Sequence, residues 1–424
     1  MGSAKYTKNT AWMVADKLIT AGIGFIVLAF IARELGPDSY GSLAYALALV
    51  SLFGVAGHMG LNGIAVREFI ENKNKHSEVL ITVSTLKFLG VVVAFVLLNA
   101  YAAISNGLDS LEFKLCFILS LSLILQPVDV LDYFYQSESQ SRYVTIARLV
   151  SIILGAIVKL SVVFVTYSIL WVAVGHVIQL AIFSLVLLVF YLRSGISDTW
   201  QRPSLPLIKK MLSEGWMVYL GTFFSVIYLK IDLVMLGEIS GKVETGVYAV
   251  ASQISEAFYF LPAVIAASFF PKIITARSTS DEVYGQTLQE LISFLFYLAV
   301  MISFLIYLTA EFWLVPIFGD TYVHSVDILR IQIWASIFIF MRAVFSKWIV
   351  IERLYIFSLI SQGLGALLNV IMNIVLIPLY GAEGAAVATL ISYSVASFFS
   401  LIFYRKTRFI FYMMLLAPFR KPLP

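Results

Sequence analysis

Long apolar runs recur along the whole chain, separated by short segments that hold most of its charged residues. A helix crossing the hydrocarbon core of a bilayer needs about 20 mostly apolar residues. The runs predict transmembrane helices over residues 10–32, 40–66, 79–101, 115–135, 143–166 and 171–192, and again over 211–236, 246–270, 288–310, 323–350, 355–378 and 384–404. The predicted class is an all-α integral membrane protein of about twelve spans. An even number of crossings leaves both termini on one side.

Composition agrees with this pattern. The 424 residues are 60% hydrophobic and 13% charged, with a mean hydropathy of +0.92. A soluble domain is about 45–50% apolar and about 25% charged. So much apolar surface cannot be hidden in a water-soluble fold. The first apolar run is too long for a signal-peptide core and no small-residue cleavage site follows it, so it is expected to be a retained helix. The single cysteine, Cys116, excludes an intramolecular disulfide and a cysteine-based metal site.

The loop charges set the orientation. Segments on the terminal side carry Lys5, Lys8, Arg67, Lys73, Lys75, Arg142, Arg193, Arg202, Lys209, Lys210, Lys272, Arg277 and Arg353, and the end of the chain adds Arg405, Lys406, Arg408, Arg420 and Lys421. The opposite loops hold only Arg33, Lys114 and Lys242. Cytoplasmic loops carry the excess of Lys and Arg, which predicts cytoplasmic termini. The net charge of +4 is first a topological signal and only then a hint of an anionic partner.

The longest connection, 193–210, contains Pro203 and Pro206 and lies near the middle of the chain. It is expected to be a cytoplasmic linker between an N-terminal lobe, 1–192, and a C-terminal lobe, 211–404, with a basic cytoplasmic tail over 405–424. Sequence echoes support the cut. Trp12-Met13-Val14 returns as Trp216-Met217-Val218, and Tyr40-Gly41-Ser42-Leu43-Ala44 is followed at matching spacing by Thr245-Gly246-Val247-Tyr248-Ala249. Two six-helix repeats in the same orientation are related by an axis along the membrane normal.

Eight bases lie inside the predicted spans: Lys17, Lys87, Arg148, Lys159, Lys230, Arg330, Arg342 and Lys347. A charge at mid-membrane costs at least about 2.5–3.5 kcal/mol, so it faces a cavity, a partner or an interface. Snorkelling accounts for Arg148 and Lys347 near helix ends. Arg330 has Asp327 one turn away. Lys17, Lys87, Lys159, Lys230 and Arg342 remain as candidates to line a polar chamber that receives an anion. Asp16, Asp129 and Asp232 are the candidates for coupling transport to a proton or sodium gradient.

Asp129 and Asp132 share a helix face, just past Pro127, which is expected to kink its helix. The second span interleaves Gly54, Gly57, Gly60 and Gly63 with His58 and Asn62. Such small residues let helix backbones approach closely in a membrane.

Other chemistry is not encoded. There is no G-x-x-x-x-G-K-[ST] phosphate loop and no H-E-x-x-H, and His58, His76, His176 and His324 are scattered. No extramembrane segment is long enough for a catalytic domain. The expectation is a transporter, not an enzyme, with no resident cofactor, no metal site and no nucleic-acid partner.

One stretch is more specific: Ala32-Arg33-Glu34-Leu35-Gly36-Pro37-Asp38-Ser39-Tyr40-Gly41. With Phe134-Tyr135-Gln136-Ser137-Glu138, Ser141-Arg142-Tyr143, Lys230-Ile231-Asp232, Gly246-Val247-Tyr248-Ala249 and Phe270-Pro271, it resembles the O-antigen (Wzx-type) polysaccharide flippases of the MOP superfamily, over nearly the whole length. The resemblance implies two six-helix lobes forming a V-shaped, MATE-like transporter with a cationic central cavity. It also implies a substrate, an undecaprenyl-diphosphate-linked oligosaccharide, moved by alternating access across the inner membrane of a bacterium from the cytoplasmic to the outer leaflet. The implied partners are that lipid-linked substrate, membrane lipids and other polysaccharide-assembly proteins.

Two alternatives compete. An ion-coupled multidrug or cation exporter of the same superfamily would have an acidic chamber, and the intramembrane acids (Asp16, Asp129, Asp132, Glu214, Asp232, Glu256, Glu290 and Asp327) equal the bases in number. A membrane glycan polymerase would need a sizeable outer loop bearing catalytic groups, and none of the predicted outer loops is long.

Overall fold

A computed structural model describes residues 2–72, 75–194 and 202–419, with side chains from residue 19 onward. The described residues form helices and no strand. Ten of these helical stretches are long and apolar enough to cross a membrane. The chain divides into two compact units, Met1–Val226 and Ile227–Pro424.

The first unit contains α1 (Gly2–His58), α2 (Asn62–Glu71), α3 (His76–Asn106), α4 (Leu111–Ser120), a 3-10 stretch (Leu121–Asp129), α5 (Val130–Ser137), α6 (Ser141–Thr166), α7 (Ile169–Arg193) and the beginning of α8 (Leu205–Ile239). Straight, α1 would be about 85 Å long, against a hydrocarbon core of about 30 Å. It breaks at Gly36, before Pro37, with φ 73° and ψ 170°. Its parts then pack differently. The Phe30 ring lies 4.8 Å from that of Phe164, at the end of α6. Beyond the break, Asn106 Nδ2 at the end of α3 donates to Tyr45 Oη at 3.3 Å, and Gly90 in mid-α3 abuts the Ala56 carbonyl. The second part of α1 therefore runs antiparallel to α3.

The first turns of α8 are tied to this unit by side chains. Lys210 Nζ lies 2.6 Å from Glu68 Oε1, Arg67 pairs with Glu214, and the Ser204 amide donates to Thr82 Oγ1 at 3.0 Å. Glu68 is itself buried, so Lys210 compensates a charge removed from water.

The second unit holds the rest of α8, then α9 (Lys242–Glu256), α10 (Phe260–Thr279), α11 (Asp281–Phe318), α12 (His324–Gln332), α13 (Ala335–Glu352), α14 (Tyr355–Ser397) and α15 (Arg408–Leu415). α14 also exceeds one crossing and breaks after Pro378, at Gly381. Glu244 Oε2 accepts the Ala382 amide at 2.9 Å, taking up a donor that a new helix start leaves unpaired. The described part of the 405–424 tail lies along α11: Gln289 Nε2 donates to the Met413 carbonyl at 2.9 Å, and Tyr297 Oη to that of Pro418 at 2.7 Å.

The helix boundaries differ from the hydropathy runs in two ways. The runs 10–32 and 40–66 follow each other with no connecting loop, only the break at Gly36, and 355–378 and 384–404 only the break at Gly381; 40–66 is interrupted again at 59–61, and α14 ends at Ser397. The runs 246–270 and 323–350 each tighten to i→i+3 bonding near 257–259 and 333–334, where Ala257, Tyr259, Ile333 and Trp334 keep right-handed helical φ/ψ. Hydropathy measures burial in lipid, whereas the breaks at Gly36 and Gly381 depend on single residues that leave helical φ/ψ.

A glycine turn precedes each half of the second echo. Gly241, between α8 and α9, adopts φ 92° and ψ 175°, close to the angles of Gly36. This region is open essentially to glycine alone. Gly107 and Gly319, at the ends of α3 and α11, adopt similar angles, so this is a turn that several helix ends share.

Candidate functional site

In the first unit, Pro127 lacks an amide donor, and the helix tightens into the nine-residue 3-10 stretch that ends at Asp129. Ser84 Oγ donates to the Pro127 carbonyl at 3.3 Å. Residues three apart eclipse in a 3-10 helix, which aligns Gln126 with Asp129. Lys87, 0% exposed on α3, reaches Asp129 Oδ2 at 3.3 Å and Tyr133 Oη at 3.4 Å, with its Nζ 5.1 Å from the Tyr133 ring centroid. Asp129 is 31% exposed. One turn on, Asp132 accepts from Gln136 at 3.0 Å and lies 3.6 Å from Arg148. Two charge pairs therefore line one face, and Arg148 has a carboxylate neighbour that its place near a helix end did not reveal.

Lys159, on α6, is different. Its Nζ donates to Gln179 Oε1 on α7 at 2.8 Å, and among the described residues no carboxylate lies within 4 Å of it. It passes over Gly175, where a larger residue would collide with its stem. The chain keeps a positive charge here without a compensating acid.

In the second unit, Lys230 on α8 is clamped by both oxygens of Glu256 on α9, at 2.8 and 3.0 Å. Arg342, on α13, donates through Nη1 to the Ala396 carbonyl at 2.7 Å and lies 5.9 Å from the Phe345 ring. Among the described residues it has no carboxylate within 4 Å. The hydroxyls of Tyr228 and Tyr393 share its electrostatic neighbourhood. Tyr393 packs edge-on against Tyr228 at 5.1 Å and against Tyr259 at 6.2 Å.

Asp232 has the most elaborate surroundings. It is 2% exposed and accepts from Tyr248 Oη at 2.7 Å, from Asn373 Nδ2 at 2.5 Å and from Thr389 Oγ1, so α8, α9 and α14 meet on one carboxylate. No base lies within 4 Å of it among the described residues. Beside it, Asn373 Oδ1 and Gln332 Oε1 are buried oxygens without a hydrogen-bond partner, and Gln332 Nε2 donates to Tyr248 at 3.4 Å. The result is one buried carboxyl group with spare neutral oxygens around it.

The structure thus joins Lys87 with Asp129 by direct contact. The Lys17 and Asp16 side chains lie outside the described residues. Arg330 lies 3.4 Å from Asp327, as its spacing indicates, and 3.1 Å from Glu311. Tyr133, Tyr228, Asn373, Thr389 and Tyr393 did not stand out in the sequence, and Tyr248 did so only as part of the Gly246-Val247-Tyr248-Ala249 stretch, with no site role. Polar residues within apolar runs were the available signal, but there are many of them and only the packing selects these.

The chain matches the family described as "Polysaccharide biosynthesis protein" over residues 6–276. It is 25% identical over 339 residues to the "Putative O-antigen transporter" of Shigella flexneri, covering 76% of this chain and 79% of the relative. A "Probable low-salt glycan biosynthesis flippase" of Haloferax volcanii is 22% identical over 396 residues, or 88% of this chain and 78% of the relative. Among solved structures, the lipid II flippase MurJ in an inward closed conformation superposes with a TM-score of 0.76 at 16% identity, over 96% of this chain and 90% of that one. An inward-facing MATE family transporter of the MOP superfamily gives 0.67 at 13% identity, over 96% and 99%. The structural likenesses establish a fold shared with MurJ and the MATE transporter, and the match over 6–276 establishes that this chain belongs to the polysaccharide biosynthesis protein family.

Proposed function

We propose that the chain is a flippase that carries an undecaprenyl-diphosphate-linked oligosaccharide from the cytoplasmic to the outer leaflet of the inner membrane, by alternating access. In this scheme it comprises two six-helix lobes, 1–192 and 211–404, joined by 193–210, with both termini cytoplasmic. Arg342 carries the proposal. It is a guanidinium on a membrane helix with no carboxylate within 4 Å among the described residues and with a group of tyrosines nearby. A guanidinium binds phosphate oxygens through two parallel hydrogen bonds, and tyrosine rings stack on sugar faces. Lys159 supplies a second uncompensated charge in the first unit. Lys87 and Lys230 contribute less, because Asp129 and Glu256 already neutralise them; Lys17 is retained from the sequence as a further contact.

Asp232 is the proposed coupling site. A buried carboxylate held only by neutral donors favours a proton or a small cation, and the spare oxygens of Asn373 and Gln332 fit the oxygen ligands of a sodium ion. Asp16 and Asp129 are weaker candidates, since Asp129 is already committed to Lys87. The multidrug-exporter alternative is disfavoured by the family match and by the pairing of several intramembrane acids with bases.

The test is translocation of a defined lipid-diphosphate sugar in vesicles by the intact chain, with Lys17→Ala, Lys159→Ala and Arg342→Ala compared. Transport by the intact chain, cut at least tenfold by Arg342→Ala, is expected. No transport by folded, intact protein sinks the flippase assignment. Unchanged rates in all three variants sink the anion-binding mechanism alone.

A further inference from the structure

The last described segment, residues 399–419, has two apolar faces. One face, Ile410, Met413, Met414 and Ala417, is buried against the unit. The other exposes Phe409, Tyr412 (58%), Leu416 and Phe419 (82%), with Phe403 (83%) just upstream. Residues 408–419 span about 18 Å as a helix, too short for a hydrocarbon core of about 30 Å. The bonds from Gln289 and Tyr297 fix which face looks outward.

At one end of this face stand Arg405, Lys406 and Arg408, all exposed. None has a carboxylate within 4 Å among the described residues, and Arg408 Nε is turned onto the Ile402 carbonyl at 2.9 Å. The Thr407 hydroxyl, buried between them, donates to the Leu401 carbonyl at 2.7 Å and holds the turn in place. Lys406 also borders a cavity of about 460 Å³ with Arg277, Tyr284, Trp348, Glu352 and Phe409. Inside it Arg277 is paired with two carboxylates, Asp281 and Glu352, so Lys406 balances the charge of the cavity from its rim, with neither carboxylate within 4 Å of it among the described residues.

We infer that residues 403–419 form an interfacial element that recognises anionic phospholipid, with headgroup phosphates on Arg405, Lys406 and Arg408 and acyl chains against Phe403, Phe409, Tyr412 and Phe419. An apolar face next to a basic cluster is the arrangement that binds a charged leaflet. The adjoining exposed aromatics favour a lipid over a soluble anion, which would be drawn only by the bases. Each base near a charged leaflet contributes about fivefold in affinity.

The experiment re-purifies the full chain from vesicles of equal phosphatidylglycerol and phosphatidylcholine and quantifies the lipid that stays bound. A phosphatidylglycerol preference of about fivefold or more is expected, falling to parity in Arg405→Gln/Lys406→Gln/Arg408→Gln. Because that variant could fail to fold, the unmodified chain is also measured at raised chloride, which must weaken the preference. Equal retention of the two lipids by the unmodified chain, an unchanged preference in the folded triple variant, or insensitivity to chloride overturns the inference. So does loss of the preference to inorganic pyrophosphate but not to chloride of matched ionic strength, which assigns the patch to a diphosphate instead.

Discussion

Lys87 Nζ lies 3.3 Å from Asp129 Oδ2, joining α3 to the end of the 3-10 stretch through a side chain with no exposure of its own. Removing one member of a buried pair strands the other, which costs about 3–5 kcal/mol, and replacing both with apolar residues is often close to neutral. Asp129 is partly exposed, so the low end applies. Asp129→Asn is expected to lower stability by about 3 kcal/mol, and Lys87→Met/Asp129→Leu to recover most of that loss. Thermal unfolding of the purified variants decides it: equal losses in the single and double variants would show that the pair is not the cause.

Lys230 and Arg342 are both intramembrane bases of the second unit, yet Glu256 neutralises only Lys230. Lys230→Met is therefore expected to slow vesicle transport less than Arg342→Met does. Glu256→Gln, which releases the Lys230 charge, is expected to tighten binding of the anionic lipid. The reverse order of the two Met variants would move the main anion contact onto α8.

Asp232 is held by Tyr248, Asn373 and Thr389 with no base within 4 Å among the described residues. Asp232→Asn is expected to remove the dependence of transport on an ion gradient while leaving cargo binding within about threefold, since no cargo contact is assigned to it. Transport by Asp232→Asn that still follows an imposed sodium or proton gradient would exclude this site as the coupling point. Binding to vesicle-borne cargo, measured separately, guards against a general loss of fold.

The glycines make unequal claims. Neither Gly36 nor Gly241 has an atom within 4 Å of where a Cβ would sit, so alanine there costs only backbone strain, about 1–3 kcal/mol each. A Cβ on Gly90 would strike the Ala56 carbonyl, which cannot rotate away, so Gly90→Ala is expected to be the most damaging of the set. Gly63 has open space around it, and Gly63→Ala is expected to be neutral, unlike its neighbours Gly54 and Gly57, which pack on Leu123 and Gln126. Unfolding midpoints of the variants test this order.

The orientation has a direct measurement. In a Cys116→Ser background, a cysteine at Ser278 is expected to react with an impermeant maleimide only from the cytoplasmic side, and one at Asp320 only from the other. The opposite pattern would invert the assignment of both termini to the cytoplasm.

Apolar run length and loop charge were enough to determine an all-helical membrane protein, because crossing a bilayer forces the backbone to bond within its own helix and lipid contact forces apolar side chains. The echo of Trp12 in Trp216 and of Tyr40 in Thr245 led to the expectation of a repeat, and Gly36 and Gly241, each four residues before the second echo, have similar backbone angles. What each intramembrane charge does was beyond the sequence. Lys87 and Arg342 look alike in an apolar run, yet one is matched by an acid 42 positions away and the other by a backbone carbonyl 54 positions away. Asp232 likewise reads as one acid beside a lysine, and only the meeting of α8, α9 and α14 surrounds it with neutral oxygens and donors. Partner choice between helices is a tertiary property: it is set by which faces pack together, and a linear pattern records only that a face exists.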